Sequence, residues 1–180
     1  MKLFKYESYK ITISEEAMLL KPFKAIWKRD KSQGKEKALS ELGFIYFFCD
    51  TRSDYQYIVD DNDRKEAIKE GEGLPKNWEP DSLIQEAIEF YKSFKSASAL
   101  LLEDTRYAVE KLRKLLRDID LTQTDDKGKP IYTLNTITAT IKQVPSLVKD
   151  LDEAERSVAR EIAQNDKVRG SQVKSIYEDL

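Results

Sequence analysis

The sequence contains no histidine and a single cysteine, Cys49, among its 180 residues. Without histidine the chain cannot form a Ser-His-Asp triad, a Cys-His pair or an imidazole metal site. One thiol cannot form an internal disulfide or a multi-thiolate metal cluster. We therefore expect no catalytic or metal site of these kinds, predict no cofactor, and expect the chain to stay in a reducing cytoplasm.

Long apolar runs are also missing. The longest is Phe44–Cys49, six residues, whereas a membrane-spanning helix needs roughly 18. The first residues lack the apolar block of a signal peptide. We therefore expect no association with a membrane.

The charges nearly cancel, with 31 Lys and Arg against 33 Asp and Glu and a formal net charge of -2. Segment 21–37 nevertheless carries seven bases and two acids, and segment 60–81 carries eight acids and four bases. The simplest interpretation is two solvated faces, although opposite charges on one chain also suit head-to-tail subunit contacts. A near-neutral total makes general nucleic-acid binding unlikely. The candidate basic contact patch comprises Lys24, Lys28, Arg29, Lys31 and Lys35.

The N-terminal residues read as an extended segment. Tyr9, Ile11 and Ile13 alternate with polar residues, which is the period of a strand. Ser14 then has the position of a helix N-cap, and Pro22 is expected to restart or kink the short helix that follows. Helical patterns dominate the rest of the chain. Expected helices cover approximately 15–20, the region of Phe23 to Trp27, 36–49, 63–70 with a cap at Asp63, 82–95 after a cap at Asp81, 97–119, and 134–164.

The last two helices show the clearest apolar patterns. In the first, Leu101, Ala108 and Leu115 recur every seven residues on a stripe that includes Leu112 and Ile119. In the second, Ile141 and Val148 belong to a coiled-coil-like seam from Leu134 to Leu151, with a kink expected near Pro145. We predict a mainly α fold: a single-domain helical bundle over 14–166, with an N-terminal extended segment, 1–13, and an extended C-terminal tail, 167–180.

Motif searches reveal no reactive site. Asp60–Asp63 suggests a calcium loop, but the glycine and glutamate spacing fails, so helix capping is the better interpretation. Ser171 and Lys174 match a serine-lysine spacing without any oxyanion-hole context. Cys49 ends a buried run and is expected to be an inert core residue.

Interaction residues are expected in two places. Tyr55 and Trp78 lie in loops beside the acidic segment and are candidates for an exposed aromatic surface. The C-terminal tail, entered through a flexible hinge at 169–172, is expected to reach a neighbouring subunit by strand or groove docking. Its predicted contact residues are Arg169, Ile176, Tyr177, Glu178 and Asp179.

Several stretches in order resemble a known family. They are 27–31 with Gly34-Lys35, Phe44–Asp50 followed by Ser53-Asp54-Tyr55, Arg64, Glu86–Tyr91, Arg169-Gly170, and Tyr177-Glu178-Asp179. Together they resemble a family of small structural proteins of tailed bacteriophages, especially crAss-like phages. The resemblance implies a non-enzymatic virion component, assembled in the bacterial cytoplasm, at the head-tail connector. It also implies a ring or adaptor subunit whose partners are copies of itself and portal, neighbouring ring or tail proteins.

Two other classes of function remain open. The first is a phage regulatory or host-takeover protein that binds a cellular target through the helix 134–162. The second is an enzyme that uses carboxylates alone, or a nucleic-acid binder that uses 21–37. Packaging in the virion distinguishes the first class, and a steep salt dependence of binding distinguishes a nucleic-acid binder.

Overall fold

The computed structural model describes residues 3–7 and 10–170, with side chains described for 3–6 and 10–165. Its contacts divide the chain into two compact units, Met1–Lys95 and Ser96–Leu180, here called unit 1 and unit 2. The described residues form seven helices and one two-stranded sheet. The prediction of a mainly helical fold is confirmed.

Unit 1 begins with a β-hairpin. Strand β1 (Phe4–Glu7) pairs antiparallel with β2 (Lys10–Ile13), and Phe4 lies opposite Ile13. The apolar side chains of Phe4 and Leu3 are buried in the core. The extended segment predicted from the sequence is therefore a hairpin whose start belongs to the core.

Five helices complete unit 1. They are α1 (Glu15–Leu19), α2 (Lys21–Arg29), α3 (Glu36–Cys49), α4 (Asp61–Gly71) and α5 (Ser82–Lys92). Ser14 caps α1 by accepting a hydrogen bond from the amide of Ala17. Pro22 lies in the first turn of α2, where no intrahelical partner for its nitrogen is needed. The predicted restart of the helix at this proline is confirmed.

Helix α3 is the centre of the core, because every residue from Glu41 to Cys49 is buried. Its first turn has no local side-chain cap, since Lys35 adopts a left-handed conformation with φ 53°. Asp30 provides the acceptor instead, and its Oδ2 lies 3.0 Å from the amide nitrogen of Ala38. This carboxylate ties the end of α2 to the start of α3.

The other end of α3 is closed by the loop that follows it. Ser53 Oγ donates to the Phe47 carbonyl at 2.8 Å, and Gln56 Nε2 donates to the Phe48 carbonyl at 3.1 Å. Arg64 also reaches the Phe48 carbonyl from α4. The last carbonyls of a helix lack intrahelical donors, so these side chains replace solvent at a buried helix end.

Helix α4 begins earlier than the sequence predicted. Asp60, not Asp63, is the N-cap, because its Oδ1 accepts from the amides of Asn62 and Asp63 at 2.9 and 3.1 Å. Asp63 is itself helical. The predicted cap at Asp63 is therefore wrong, whereas the cap predicted at Asp81 for α5 is confirmed by its bond to the Ile84 amide.

Unit 2 is a helical hairpin of α6 (Ala97–Asp118) and α7 (Leu134–Gly170). Ser98 near the start of α6 contacts Glu161, and Arg106 further along contacts the earlier Glu155, so the helices are antiparallel. Helix α7 continues through Pro145 and reaches Gly170, past the predicted end at Gln164. The backbone of Arg169 and Gly170 is thus helical where the start of a hinge was predicted.

Candidate interaction surfaces

Each unit presents charged and apolar side chains to solvent. Within residues 3–7 and 10–170, no group of acidic or cysteine side chains is arranged to hold a metal ion. Over the same residues, no helix combines the length and apolar character needed to cross a membrane.

The candidate basic patch of unit 1 is smaller than predicted. Arg29 donates from Nη2 to Glu41 Oε2 at 2.7 Å and from Nη1 to Asp81, so it links α2 to α3 and α5. This hydrogen bond to Glu41 is the main cause that raises the pKa of Arg29. Lys35 donates to the carbonyl of Asp30 and lies 5.9 Å above the Trp27 ring. Only Lys24, Lys28 and Lys31 of the patch are exposed without such internal contacts.

Part of the acidic segment of unit 1 is paired with its own bases. Lys65 Nζ lies 2.9 Å from Glu79, and the buried Lys69 lies between Glu66 and Glu79 at 3.0 and 3.4 Å. Hydrogen bonding to Glu66 raises the pKa of Lys69. Because Arg29 also pairs with Asp81, the basic and acidic segments contact each other inside unit 1. The sequence favoured two solvated faces and offered contacts between subunits as the alternative.

The two loop aromatics predicted to be exposed pack on the core of unit 1. Tyr55 donates its hydroxyl hydrogen to Glu72 at 3.0 Å, and its ring lies 5.4 Å from that of Phe47. Burial is the main cause that raises the pKa of Tyr55 to about 12. Trp78 lies edge-on to Phe44, with ring centroids 4.7 Å apart. Both side chains are partly buried, so a partner-binding role for them stays a prediction. In the loop that contains Tyr55, the exposed aromatic side chain is that of Tyr57, at 74%.

A buried polar cluster joins α3 to α5. Asp50, at the end of α3, accepts two hydrogen bonds from the Arg52 guanidinium, at 2.8 and 2.6 Å, and one from the Tyr91 hydroxyl at 2.5 Å. Burial alone would raise the pKa of Asp50, but the bonds from Arg52 and Tyr91 lower it. Every charge in the cluster has a partner, so we assign it a structural role.

The interior of unit 2 is small. Its buried cluster consists of Leu102 on α6 and Ala154 and Val158 on α7, with Leu151 and Ile162 partly buried beside them. Glu161 accepts hydrogen bonds from Ser96, at 2.8 Å, and from Ser98 at the start of α6. The two helices therefore hold together at one end, while much of their apolar surface stays outside.

That uncovered apolar surface follows the patterns predicted from the sequence. On α6, Leu101, Ala108 and Leu115 lie two turns apart on one strip and are exposed, Leu101 at 60%. On α7, Ile141 and Val148 are each 53% exposed on another strip. The sequence located these stripes correctly, but it placed them in the core of a bundle. A hairpin of two helices offers each stripe too few neighbours to bury it.

The loop that joins α6 to α7 extends the apolar surface. Gly128, with φ 73°, turns the chain back, and Thr124 and Pro130 form an isolated antiparallel bridge. A groove at this end of the hairpin is lined by Leu121, Tyr132 and Leu134, among others. Leu134 is 72% exposed, so the groove is open to solvent along one wall.

Charge is divided along the hairpin. We call residues 108–149, which comprise the loop and the adjoining parts of both helices, the loop half; residues 97–107 and 150–165 form the open half. The loop half has eight Lys and Arg against five Asp and Glu, a net of +3, and the open half has three against seven, a net of -4. This division of charge is not evident from the sequence, because each half combines a segment of α6 with a segment of α7 that is distant along the chain.

Most of the predicted contact residues of the tail lie outside the described part of the chain. Ile176, Tyr177, Glu178 and Asp179 lie outside the described residues, and of Arg169 only the helical backbone is described. Their contact role stays a prediction.

The chain was compared with protein-family models, with curated proteins and with solved structures. None of them matches it.

Proposed function

We propose that the protein is a non-enzymatic structural protein of a bacteriophage virion, a ring or adaptor subunit of the head-tail connector in a crAss-like phage. Its partners are copies of itself and the portal, neighbouring ring or tail proteins, and it assembles in the bacterial cytoplasm. The family resemblance of stretches such as Phe44–Asp50 and Glu86–Tyr91 supports the phage assignment.

The observation that carries the assembly role is the uncovered apolar surface of unit 2. Among the described residues, exposed strips on both α6 and α7 flank a buried cluster of three side chains, Leu102, Ala154 and Val158. Exposed apolar strips of this kind are typical of a protein that binds another protein. A ring subunit contacts two neighbours, and two separate strips suit that requirement.

The proposal is tested by quantitative mass spectrometry of purified phage particles. We expect the protein in particles at a fixed ratio to the portal protein, and immunogold label at the junction of head and tail. Abundance in infected cells without incorporation into particles would overturn the proposal and favour the regulatory or host-takeover class, which would use the exposed surface of α7 on a cellular target.

A further inference from the structure

We propose that the loop half of unit 2 in one copy binds the open half of unit 2 in a second copy. The inference rests on the proposed assembly role and specifies which surfaces meet. Because the two contact surfaces differ, each copy can bind one neighbour through its loop half and another neighbour through its open half.

Charge complementarity identifies the second copy as the occupant. The loop half carries +3 and the open half -4, so pairing of unlike halves brings opposite charges together. Pairing of like halves would bring together charges of one sign, which is unfavourable at an interface. One chain therefore provides both a basic surface and the acidic surface that matches it.

The charges needed for this contact are available. Among the described residues, Lys114, Arg117 and Lys142 of the loop half are exposed and take part in no ion pair. Asp104 and Asp150 of the open half are likewise exposed and outside the ion pairs of the described residues. Some of the other charges of the hairpin are paired internally, as Arg106 is with Glu155.

Both halves also carry the apolar area that an interface needs. The loop half exposes Leu115, Ile141 and Val148, together with the groove at Leu121 and Leu134. The open half exposes its own large apolar side chains, Leu100, Leu101 and Tyr107. Burial of apolar area provides affinity, and the charges select the pairing of unlike halves.

A charge-swap experiment on the full chain tests the contact. The loop-half variant is Lys114→Glu with Arg117→Glu, and the open-half variant is Asp104→Lys with Asp150→Lys. Sedimentation velocity over a concentration series measures self-association, and circular dichroism confirms that each variant is folded. We expect each double variant to associate at least about tenfold more weakly than the natural chain, because the attraction between unlike halves is lost when the loop half changes from +3 to -1 or the open half from -4 to 0.

Restoration distinguishes this contact from a general effect of charge. An equimolar mixture of the two double variants should associate more tightly than either variant alone, since the unchanged loop half of one chain (+3) then meets the unchanged open half of the other (-4). The matched control for the loop-half variant, Lys21→Glu with Lys76→Glu in unit 1, changes the net charge equally and should have no effect.

The outcomes separate this contact from the proposed function. A natural chain that stays monomeric, or double variants that associate normally, would overturn the contact; so would a mixture of the two double variants that associates no more tightly than either alone. Association that is weakened in both double variants and recovered in the mixture, together with absence from phage particles, would uphold the contact and overturn the virion role. Closed dimers that show the same loss and recovery would also uphold the contact but exclude a ring built from it alone.

Discussion

The hydroxyl group of Tyr91 on α5 donates a hydrogen bond to Oδ2 of Asp50, which lies 2.5 Å away at the end of α3. The same carboxylate holds Arg52, whose side chain is about three-quarters buried. This cluster fixes α5 and the loop after α3 against the central helix. The hydrogen bonds of a carboxylate buried to this extent contribute strongly, because its unpaired charge would be costly.

We expect Asp50→Asn to lower the free energy of unfolding by about 3 kcal/mol, because Arg52 would keep its charge in the interior without its partner. Tyr91→Phe should cost about 1 kcal/mol, since the pair of Asp50 and Arg52 remains. Urea unfolding measures both. Equal effects of the two substitutions would contradict this assignment of roles.

Unit 1 should lose stability in acid. Hydrogen bonds from the amide of Ala38 and from Ser32 lower the pKa of Asp30 to about 2, and the pKa of Asp50 is also lowered. In the unfolded chain both titrate near a pKa of about 4. Their contribution is therefore complete above about pH 4 and is lost as the pH falls towards 2.

Urea midpoints measured between about pH 6 and 2 check this expectation. The variant Asp30→Asn should be less stable at neutral pH and should show a smaller acid-dependent loss. An unchanged acid-dependent loss in this variant would show that Asp30 does not contribute to it.

Gly71 should tolerate no side chain while Tyr55 keeps its hydroxyl group. A Cβ atom at Gly71 would lie 2.1 Å from the Tyr55 hydroxyl oxygen, which is too close for two unbonded atoms. We expect Gly71→Ala to destabilise unit 1 by about 2 kcal/mol. In combination with Tyr55→Phe the cost should be smaller than the sum of the single costs, a coupling that a double-mutant cycle measures.

Gly34→Ala is the matched control for this substitution. Its Cβ would lie 3.5 Å from the nearest atom, an ordinary contact. It should therefore change stability by less than about 0.5 kcal/mol. A comparable loss at Gly34 would show that the contact with Tyr55 is not the cause.

Buried and exposed apolar residues of unit 2 should respond differently to truncation. Leu102→Ala removes a buried side chain from the small cluster and should cost about 2–4 kcal/mol, seen as faster amide hydrogen exchange in α6 and α7. Ile141→Ser alters an exposed position and should leave the exchange of the monomer within about 0.5 kcal/mol. Similar acceleration by both would mean that Ile141 is already covered within one chain.

Local patterns predicted much of the fold, because they depend on neighbours in sequence. The bounds of α3, Glu36–Cys49, and the cap at Asp81 followed from apolar content and helix-capping chemistry. At α4, three acids close together offered competing caps, and pattern alone favoured Asp63 over Asp60. Asp30, which caps α3 from the end of another helix, could not be found by spacing rules.

The interaction surface of unit 2 could likewise be predicted only in part from the sequence. The stripe containing Leu101 and the seam containing Ile141 were evident from their periodicity, but a period tells which residues share a face and not what covers it. Among the described residues of unit 2, α6 and α7 pack only against each other, so these faces stay exposed. Tyr55 and Trp78 show the converse: loops with polar sequences placed their aromatic rings against the core.

Cys49 has a practical consequence. The chain has one thiol, and it is fully buried at the end of α3 in unit 1. A thiol-specific reagent can react with it only when this unit opens, and no other residue contributes to the signal. The rate of alkylation in the intact protein, or in an assembled particle, therefore reports the opening of unit 1 separately from any event in the helical hairpin.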